Sequence, residues 1–383
     1  MAFGDPPEKP KSILGYHRVL SPTAGVRVSP LCLGAMNFGN QWVDWMGDMD
    51  KKTAFEILDY FFDMGGNFID TSNNYQDEQS ETWIGEWLAE RGVRDQMVIA
   101  TKFTTGFKGG DRSIKHQINF TGNHSKSLHT SLAASLKKLQ TDYIDLLYVH
   151  WWDFTTSIPE LMQSLNHVVA SGKVLYLGVS DTPAWVVSKA NQYARDHGLR
   201  QFSVYQGRWS AADRDMEREI LPMCQDEGMG IAPWGALGGG AFKTEEQRKS
   251  DEGRKVRRIP PEAEKVSVVL EKIAKEKNTI MTSVAMAYIM QKSPYIFPIV
   301  GGRKVEHLKG NIEALSLELS DDDMRQIDDA YGFQIGFPMN FLFEFTGNKY
   351  NTYDTPDKIG LLSLTSFMDS VQKPRPIKPR EAF

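Results

Sequence analysis

Eight short apolar runs alternate with amphipathic stretches along this chain, and that alternation limits the possible folds more than any other feature of the sequence. The runs are rich in β-branched and aromatic residues, which favours strands, whereas the stretches repeat their apolar residues with the period of a helix. The predicted strands are 28–33, 67–71, 97–102, 145–150, 174–180, 202–207, 230–234 and 296–301. The predicted helices are 51–64, 78–91, 126–139, 158–171, 183–196, 214–227, 282–292 and 304–314. Strands and helices that alternate in this number predict the α/β class and, within it, a (β/α)8 TIM barrel of parallel strands.

Length and spacing predict a single domain over residues 1–383. A chain of 383 residues, 41% of them hydrophobic, can bury the core of one barrel, which we expect at about 14–330. Two long loops, 104–125 and 235–262, follow the third and seventh strands and are either lids or binding segments at the barrel mouth, or solvated insertions. The tail at 333–383 is rich in aromatic residues, so we expect part of it to pack near the mouth and its end, PRPIKPREAF, to be disordered.

Composition argues against several classes of partner. The net charge is −5 and the basic residues are spread along the chain, which is not the pattern of a nucleic-acid-binding protein. The N-terminus lacks the apolar core of a secretory signal, and no run reaches the roughly 18 apolar residues of a membrane span, so we expect a cytoplasmic protein without a membrane partner. Cys32 and Cys224 are too few for a disulfide framework and are expected in the core. No H-x-H pair occurs among the eight histidines, so no metal site is predicted, and the oligomeric state stays open.

Four polar residues stand at or just past the carboxyl ends of three successive predicted strands. They are Asp70, Tyr75, Lys102 and His150. Because the carboxyl ends of parallel barrel strands share one mouth, these side chains are expected to meet there. Lys102 would lower the pKa of Tyr75, Asp70 would keep Lys102 charged, and His150 would donate a second hydrogen bond to the oxygen that Tyr75 protonates. Such a set suits carbonyl reduction, because hydride addition to a carbonyl carbon places negative charge on the oxygen.

Glycines in the second long loop could bind a phosphate group without either of the standard phosphate-binding motifs. The chain has no G-x-G-x-x-G after a strand, and the spacing from Gly235 to Lys243 does not fit an NTPase phosphate loop. Backbone amides of the glycine-rich segment could still approach a pyrophosphate, with Lys243 adding charge. The alternative is that these glycines only permit a tight turn.

Five segments carry a resemblance to a known family. They are DTSNNY (70–75), SETWIGEWL (80–88), IATK (99–102), DLLYVHW (145–151) and LGVSD (177–181). Together they resemble the aldo-keto reductase superfamily over about residues 14–330, which implies that the four residues above are a catalytic tetrad and that the cofactor is NADPH or NADH. The runs 172–191, 228–242 and 297–311 look most like the fungal aryl-alcohol dehydrogenase branch, which includes norsolorinic acid reductase-like enzymes of polyketide pathways.

The resemblance also implies a cofactor site. Trp234 matches the aromatic position that stacks on nicotinamide, Ser180 and Gln206 match the carboxamide contacts, and 235–243 matches the pyrophosphate loop. The full set of implied cofactor contacts is Met36, Asp70, Ser180, Asp181, Gln206, Trp234, Gly235, Ala236, Leu237, Gly238, Gly239, Lys243, Gly302, Arg303, His307 and Asn311. Arg303 and Lys304 favour a 2′-phosphate and therefore NADP(H), although a solvated helix start would also explain them. The chain departs from the family's usual residues at five positions: Gln76 for Gly, Asp181 for Asn, Trp234 for Tyr, His307 for Gln or Arg, and Gly310 for Glu.

Substrates of this branch are aromatic aldehydes, ketones or the matching alcohols, and the expected substrate contacts are Tyr75, His150 and Trp151. Several aromatic residues at predicted strand ends or loops would give the mouth flat apolar walls, with core packing as the alternative. They are Trp42, Trp45, Phe103, Trp151, Trp152 and Trp209. A second functional hypothesis is a redox-sensing, nicotinamide-binding regulatory subunit with little turnover, since some relatives of this fold serve potassium channels in that way.

Overall fold

A computed structural model of the chain describes residues 8–244, 262–347 and 349–381. Its main sheet has eight parallel strands in the order β10-β3-β4-β5-β6-β7-β8-β9. These strands are β3 Cys32–Gly34, β4 Phe68–Asp70, β5 Val98–Phe103, β6 Ile144–Val149, β7 Val174–Ser180, β8 Phe202–Arg208, β9 Gly230–Trp234 and β10 Ile299–Val300. A bridge between Ile231 and Ile296 closes the sheet, because the Phe297 N–H donates to the Ile231 carbonyl at 2.8 Å. The predicted (β/α)8 barrel is confirmed.

Helices fill the intervals between the barrel strands. The described helices are α1 Val43–Met46, α2 Lys51–Asp63, α3 Gln79–Arg91, α4 Ser125–Lys138, α5 Ile158–Ala170, α6 Ala184–Asp196, α7 Ile220–Asp226, α8 Ala263–Glu276, α9 Met281–Lys292, α10 Val305–Glu313, α11 Asp321–Asp328 and α12 Met339–Phe343. Side-chain caps fix several starts: Asp50 accepts the Thr53 N–H at 2.7 Å, and Ser157 accepts the Glu160 N–H at 3.2 Å. Among the described residues, no helix combines the length and the apolar character that crossing a membrane requires.

A short antiparallel hairpin, β1 Arg18–Ser21 and β2 Ala24–Val28, precedes the barrel. Leu20, Ala24 and Val28 of the hairpin belong to the same buried cluster as the inward-facing residues of the strands. The contact is close, since a Cβ atom on Gly230 would lie 2.4 Å from the Leu20 carbonyl oxygen. The hairpin therefore packs against the end of the barrel where β9 begins, opposite the mouth formed by the carboxyl ends of the strands.

Buried residues form two layers, one inside the barrel and one between the strands and the helices. Cys32 lies in the inner layer and Cys224 in the outer layer. Both cysteines are buried and unpaired, as the sequence predicts.

The observed elements differ from the prediction in several places. The helix predicted at 214–227 is a 3-10 turn at Asp215–Glu217 followed by α7 at Ile220–Asp226. The run 28–33 contains the end of β2 and the start of β3, because Pro30 between them has no N–H for a sheet. The strand predicted at 296–301 is reduced to Ile299–Val300 for the same reason at Pro298. Helix α8 is absent from the predicted set, although its Val266, Leu270 and Ile273 make a regular buried stripe.

Three segments lie outside the repeat of strands and helices. The loop 104–125 contains a 3-10 turn at Ile118–Phe120, and the rings of Phe107 and Phe120 meet edge to face 5.6 Å apart. Of the predicted loop 235–262, residues 245–261 lie outside the described part of the chain. The tail contacts the end of α9, where the Thr352 hydroxyl donates to the Lys292 carbonyl at 3.0 Å, and Arg380 lies over the Tyr16 ring.

Candidate active site

The barrel brings the four strand-end residues together. Asp70 is the last residue of β4, Lys102 is the second-last residue of β5, and His150 directly follows β6. Lys102 is the centre of the group: its Nζ donates to Asp70 Oδ1 at 2.6 Å, to the Thr71 carbonyl at 2.7 Å and to the Tyr75 hydroxyl at 3.4 Å. All three ammonium protons are thus used. The rings of Tyr75 and His150 meet edge to face with centroids 6.0 Å apart.

Burial decides the protonation of this group as much as the charges do. Burial opposes the Lys102 charge, but the Asp70 carboxylate and Tyr75 outweigh it and raise the pKa of Lys102 above its usual value. Burial also raises the pKa of Tyr75 above 10, and the Lys102 ammonium offsets this only partly. The sequence predicts a lowered pKa for Tyr75, but burial outweighs the Lys102 charge and the pKa is raised, so the phenol stays protonated at neutral pH. A protonated phenol is the form that an acid catalyst needs.

His150 is held in its neutral form. Burial, together with the nearby Lys102 ammonium, lowers the pKa of His150 to about 3. Its Nδ1 atom lies 3.1 Å from Thr105 Oγ1 and 3.3 Å from Ser72 Oγ. A neutral imidazole has one N–H donor and one acceptor, so His150 can donate a single hydrogen bond at the mouth.

A left-handed turn follows Tyr75 and contacts two other segments of the mouth. Gln76, Asp77 and Glu78 all have positive φ, at 53°, 50° and 79°, which for non-glycine residues persists only where contacts fix the backbone. Gln76 Oε1 accepts the Trp42 N–H at 2.8 Å, and Asp77 Oδ1 accepts from the Trp42 indole at 3.0 Å. Glu78 pairs with Lys108 of the loop 104–125. The departure from glycine at Gln76 therefore adds a buried clamp on the segment that carries Trp42.

Sequence reasoning missed this turn because it contains no glycine to indicate a left-handed backbone. The weak signal available was Asp77, a residue type that tolerates that conformation.

The aromatic residues predicted at the mouth separate into two groups. Trp42, Trp45 and Trp151 keep part of their surface exposed, and the Trp42 ring stands edge-on to Tyr75 at 6.2 Å. The remaining members of the predicted set are buried in the core and do not form walls of the mouth: Phe103, Trp152 and Trp209.

Cofactor residues predicted on β7, β8 and β9 lie beside the tetrad. Gln206 is buried and its Nε2 donates to Asp70 Oδ2 at 2.8 Å, a contact across 136 residues that the sequence did not reveal. The Ser180 hydroxyl is buried next to the Asp181 carboxyl and makes no hydrogen bond of good geometry within the described part of the chain. Asp181, with φ at 42°, accepts from the Trp234 indole at 3.3 Å. The residue is exposed at the mouth, but the protein atoms around its carboxyl partly exclude water and raise its pKa to about 6.

The predicted pyrophosphate segment has the backbone that only glycine adopts readily. Gly235, Gly238 and Gly239 have φ of 73°, 76° and 57°, and a 3-10 turn spans Gly238–Gly240. Ala236 is buried beneath this turn, and a Cβ atom on Gly238 would lie 2.5 Å from the Phe242 ring. Leu237 packs against the same core, and Lys243 is the last basic residue before 245–261.

The predicted adenosine side lies at the start of α10. Gly302, Lys304 and Asn311 lie together beside Leu33 of β3, around a gap too narrow to admit a water molecule. Arg303 is exposed and extends across Gly47, where a Cβ atom would lie 1.8 Å from its guanidinium. His307 is exposed and packs on Gly302. Met36 follows β3, and its carbonyl accepts from the Gln76 side-chain amide at 3.1 Å.

The sequence matches known proteins over most of its length. A profile of the Aldo/keto reductase family matches residues 30–331. The chain is 58% identical to norsolorinic acid reductase A of Aspergillus parasiticus over 97% of this chain and 95% of that protein. It is 54% identical to an aryl-alcohol dehydrogenase of Pestalotiopsis microspora over 100% of this chain and 97% of that protein. It is 52% identical to an aldo-keto reductase of Emericella nidulans over 88% of this chain and 86% of that protein.

The chain belongs to the aldo/keto reductase family. It is an oxidoreductase of a family that acts on carbonyl or alcohol groups and generally uses NAD(P)H. The relatives carry the names of enzymes, which gives no support to the alternative of a redox-sensing regulatory subunit.

The residues of this aldo/keto reductase fit a nicotinamide cofactor. Buried hydroxyl groups are normally hydrogen-bonded, and Ser180 Oγ makes no hydrogen bond of good geometry with the described residues, so it can bind a ligand group in this part of the mouth. The left-handed glycines offer close backbone approach to a pyrophosphate, and the N-cap residue Lys304 makes no side-chain hydrogen bond to the first turn of α10.

Proposed function

We propose that this aldo/keto reductase uses NADPH to interconvert aryl aldehydes or ketones and the corresponding alcohols, in the polyketide branch of fungal secondary metabolism. The observation that carries the proposal is the contact of Lys102 with both Asp70 and Tyr75, next to His150 and to the partly exposed rings of Trp42 and Trp151. The names of the relatives, norsolorinic acid reductase and aryl-alcohol dehydrogenase, support the substrate class. The two unpaired cysteines are consistent with a reducing, cytoplasmic location.

The bound cofactor would supply a hydride to the carbonyl carbon. Tyr75 then gives its hydroxyl proton to the carbonyl oxygen, and the phenolate that remains lies next to the Lys102 ammonium. Asp70, held from its other oxygen by Gln206, keeps Lys102 charged and in place. His150 donates to the same carbonyl oxygen and orients it. In the oxidative direction the Tyr75 phenolate is the base.

The adenosine side supports NADPH as the preferred cofactor. Arg303 and Lys304 are exposed next to Gly302 at the start of α10, where a 2′-phosphate would accept their hydrogen bonds. Ser180 and Gln206 would hold the carboxamide, and Trp234 would stack on the nicotinamide ring.

The experiment is the loss of NADPH absorbance with a panel of aryl aldehydes and ketones, for the wild type and for Tyr75→Phe, with NADH as a parallel cofactor. We expect turnover by the wild type, preference for NADPH, and loss of turnover by more than about 100-fold in Tyr75→Phe with NADPH binding retained. Full turnover by Tyr75→Phe would remove Tyr75 from the mechanism. Tight NADPH binding without reduction of any aryl carbonyl would refute the proposed substrate class.

A further inference from the structure

Thr105 lies between two residues of the mouth and contacts both with one hydroxyl. Its Oγ1 accepts from the Trp151 indole N–H at 3.0 Å and lies 3.1 Å from His150 Nδ1. The Thr105 carbonyl is fixed in turn by the Asn73 side-chain amide at 3.1 Å. A residue that joins the imidazole to the indole next to it can control how both are presented to a substrate.

The backbone directly before Thr105 is strained. Thr104 has φ of 103°, a conformation that a β-branched residue avoids. Four contacts hold it: its carbonyl accepts from Gly122 at 2.8 Å and from the Thr121 hydroxyl at 2.9 Å, and its Oγ1 accepts from Asn123 at 2.9 Å and from the His150 N–H at 3.3 Å. Strain that is fixed from several sides is typical of functional positions.

The donors and acceptors around His150 determine the direction of each hydrogen bond. An indole N–H can only donate, so Thr105 Oγ1 is the acceptor for Trp151. Ser72 donates its own proton to Asn74 Oδ1 at 2.9 Å. Thr105 still has its hydroxyl proton, and within the described residues the one acceptor in reach is His150 Nδ1. If Nδ1 carried the hydrogen instead, the Thr105 proton would have no partner in this part of the protein.

We propose that Thr105 is a positioning residue that donates its hydroxyl proton to His150 Nδ1 and so fixes the imidazole as the tautomer with hydrogen on Nε2. With Nδ1 occupied as an acceptor, Nε2–H is the donor that His150 presents at the mouth. The inference rests on the proposed function for its consequence, since Nε2–H is the group that would donate to the carbonyl oxygen. The tautomer itself is a property of the free protein.

The test is the ¹⁵N spectrum of histidine-labelled protein without cofactor or substrate, with the His150 signals assigned from a His150→Gln variant. We expect the wild type to hold the Nε2–H tautomer, Thr105→Val to show an increased Nδ1–H fraction, and Thr105→Ser to restore the wild-type spectrum. Ser72→Ala is the matched control, because it removes the other hydroxyl near Nδ1 and should leave the tautomer unchanged. With an aryl aldehyde, Thr105→Val should lose roughly two- to tenfold in kcat/KM, the range for one neutral hydrogen bond, and Thr105→Ser should recover it.

An Nδ1–H tautomer in the wild type, an unchanged spectrum in Thr105→Val, or a change in Ser72→Ala in place of Thr105→Val would each overturn the proposal. Because the spectrum needs neither cofactor nor substrate, it reports on Thr105 even if no aryl carbonyl is reduced. Circular dichroism of Thr105→Val shows whether the variant is folded, and the wild-type spectrum tests the assignment without any substitution.

Discussion

Replacing Lys102 by Met tests the centre of the active site. In the reaction the Tyr75 oxygen gains negative charge 3.4 Å from the Lys102 Nζ atom. A full unit charge at that separation is stabilised by about 5 kcal/mol at an effective dielectric constant of about 20. If half of the charge has developed in the transition state, the loss is about 2.5 kcal/mol, or roughly 60-fold in the rate of the chemical step.

The same substitution also threatens the fold, so the assay needs a second variant. The Asp70 side chain is 5% exposed, and removing its cation leaves a buried carboxylate, which costs roughly 3–5 kcal/mol of unfolding free energy. The double variant Asp70→Asn with Lys102→Met removes that uncompensated charge and keeps an acceptor for Gln206. It should therefore recover most of the stability and none of the rate.

The measurements are single-turnover NADPH oxidation by stopped flow with an aryl aldehyde, cofactor binding by tryptophan fluorescence, and urea unfolding of each variant. Recovery of the rate in the double variant would show that Lys102→Met acts through stability alone. A rate within about fivefold of the wild type in folded, NADPH-bound Lys102→Met would refute electrostatic stabilisation of Tyr75 by Lys102.

Three further predictions use other parts of the structure. Arg303→Ala should raise the KM for NADPH by about 10- to 100-fold, the range for a charged hydrogen bond, and leave the KM for NADH nearly unchanged; equal effects on both cofactors would contradict the 2′-phosphate contact. Asp77→Ala should lower kcat/KM for an aryl aldehyde roughly two- to tenfold relative to an alicyclic aldehyde of equal size, because the Trp42 indole loses its acceptor. Asp77→Asn keeps an acceptor oxygen and should behave as the wild type. Burial opposes the charge of Glu217, but Lys292 and Arg214 lower its pKa to about 2. The contribution of Glu217 to stability is therefore complete above its ordinary pKa of 4.5 and is lost as the pH falls towards 2. Urea unfolding of the wild type and of Glu217→Gln should therefore converge by about 3 kcal/mol between pH 5 and pH 2, and a constant difference over that range would show that Glu217 does not titrate as described.

The sequence by itself determined the class of fold and the membership of the tetrad. Periodicity is a local property, because a strand or helix buries one face of its own residues, so the alternation of runs was sufficient to predict the barrel. Asp70, Lys102 and His150 could be placed together because parallel strands bring their carboxyl ends to one mouth regardless of side-chain detail. Proline interruptions such as Pro30 moved the ends of strands but not their order.

Tertiary structure alone decided how these residues are held and charged. The Gln206–Asp70 bond joins positions 136 residues apart, and the left-handed backbone of Gln76–Glu78 exists only because Trp42 and Lys108 contact it. The direction of the Tyr75 pKa depends on the balance between burial and the Lys102 charge, and a sequence shows the charge but not the burial. Contacts between distant residues depend on strand register and on the depth of each side chain, which the folded barrel fixes and local pattern does not.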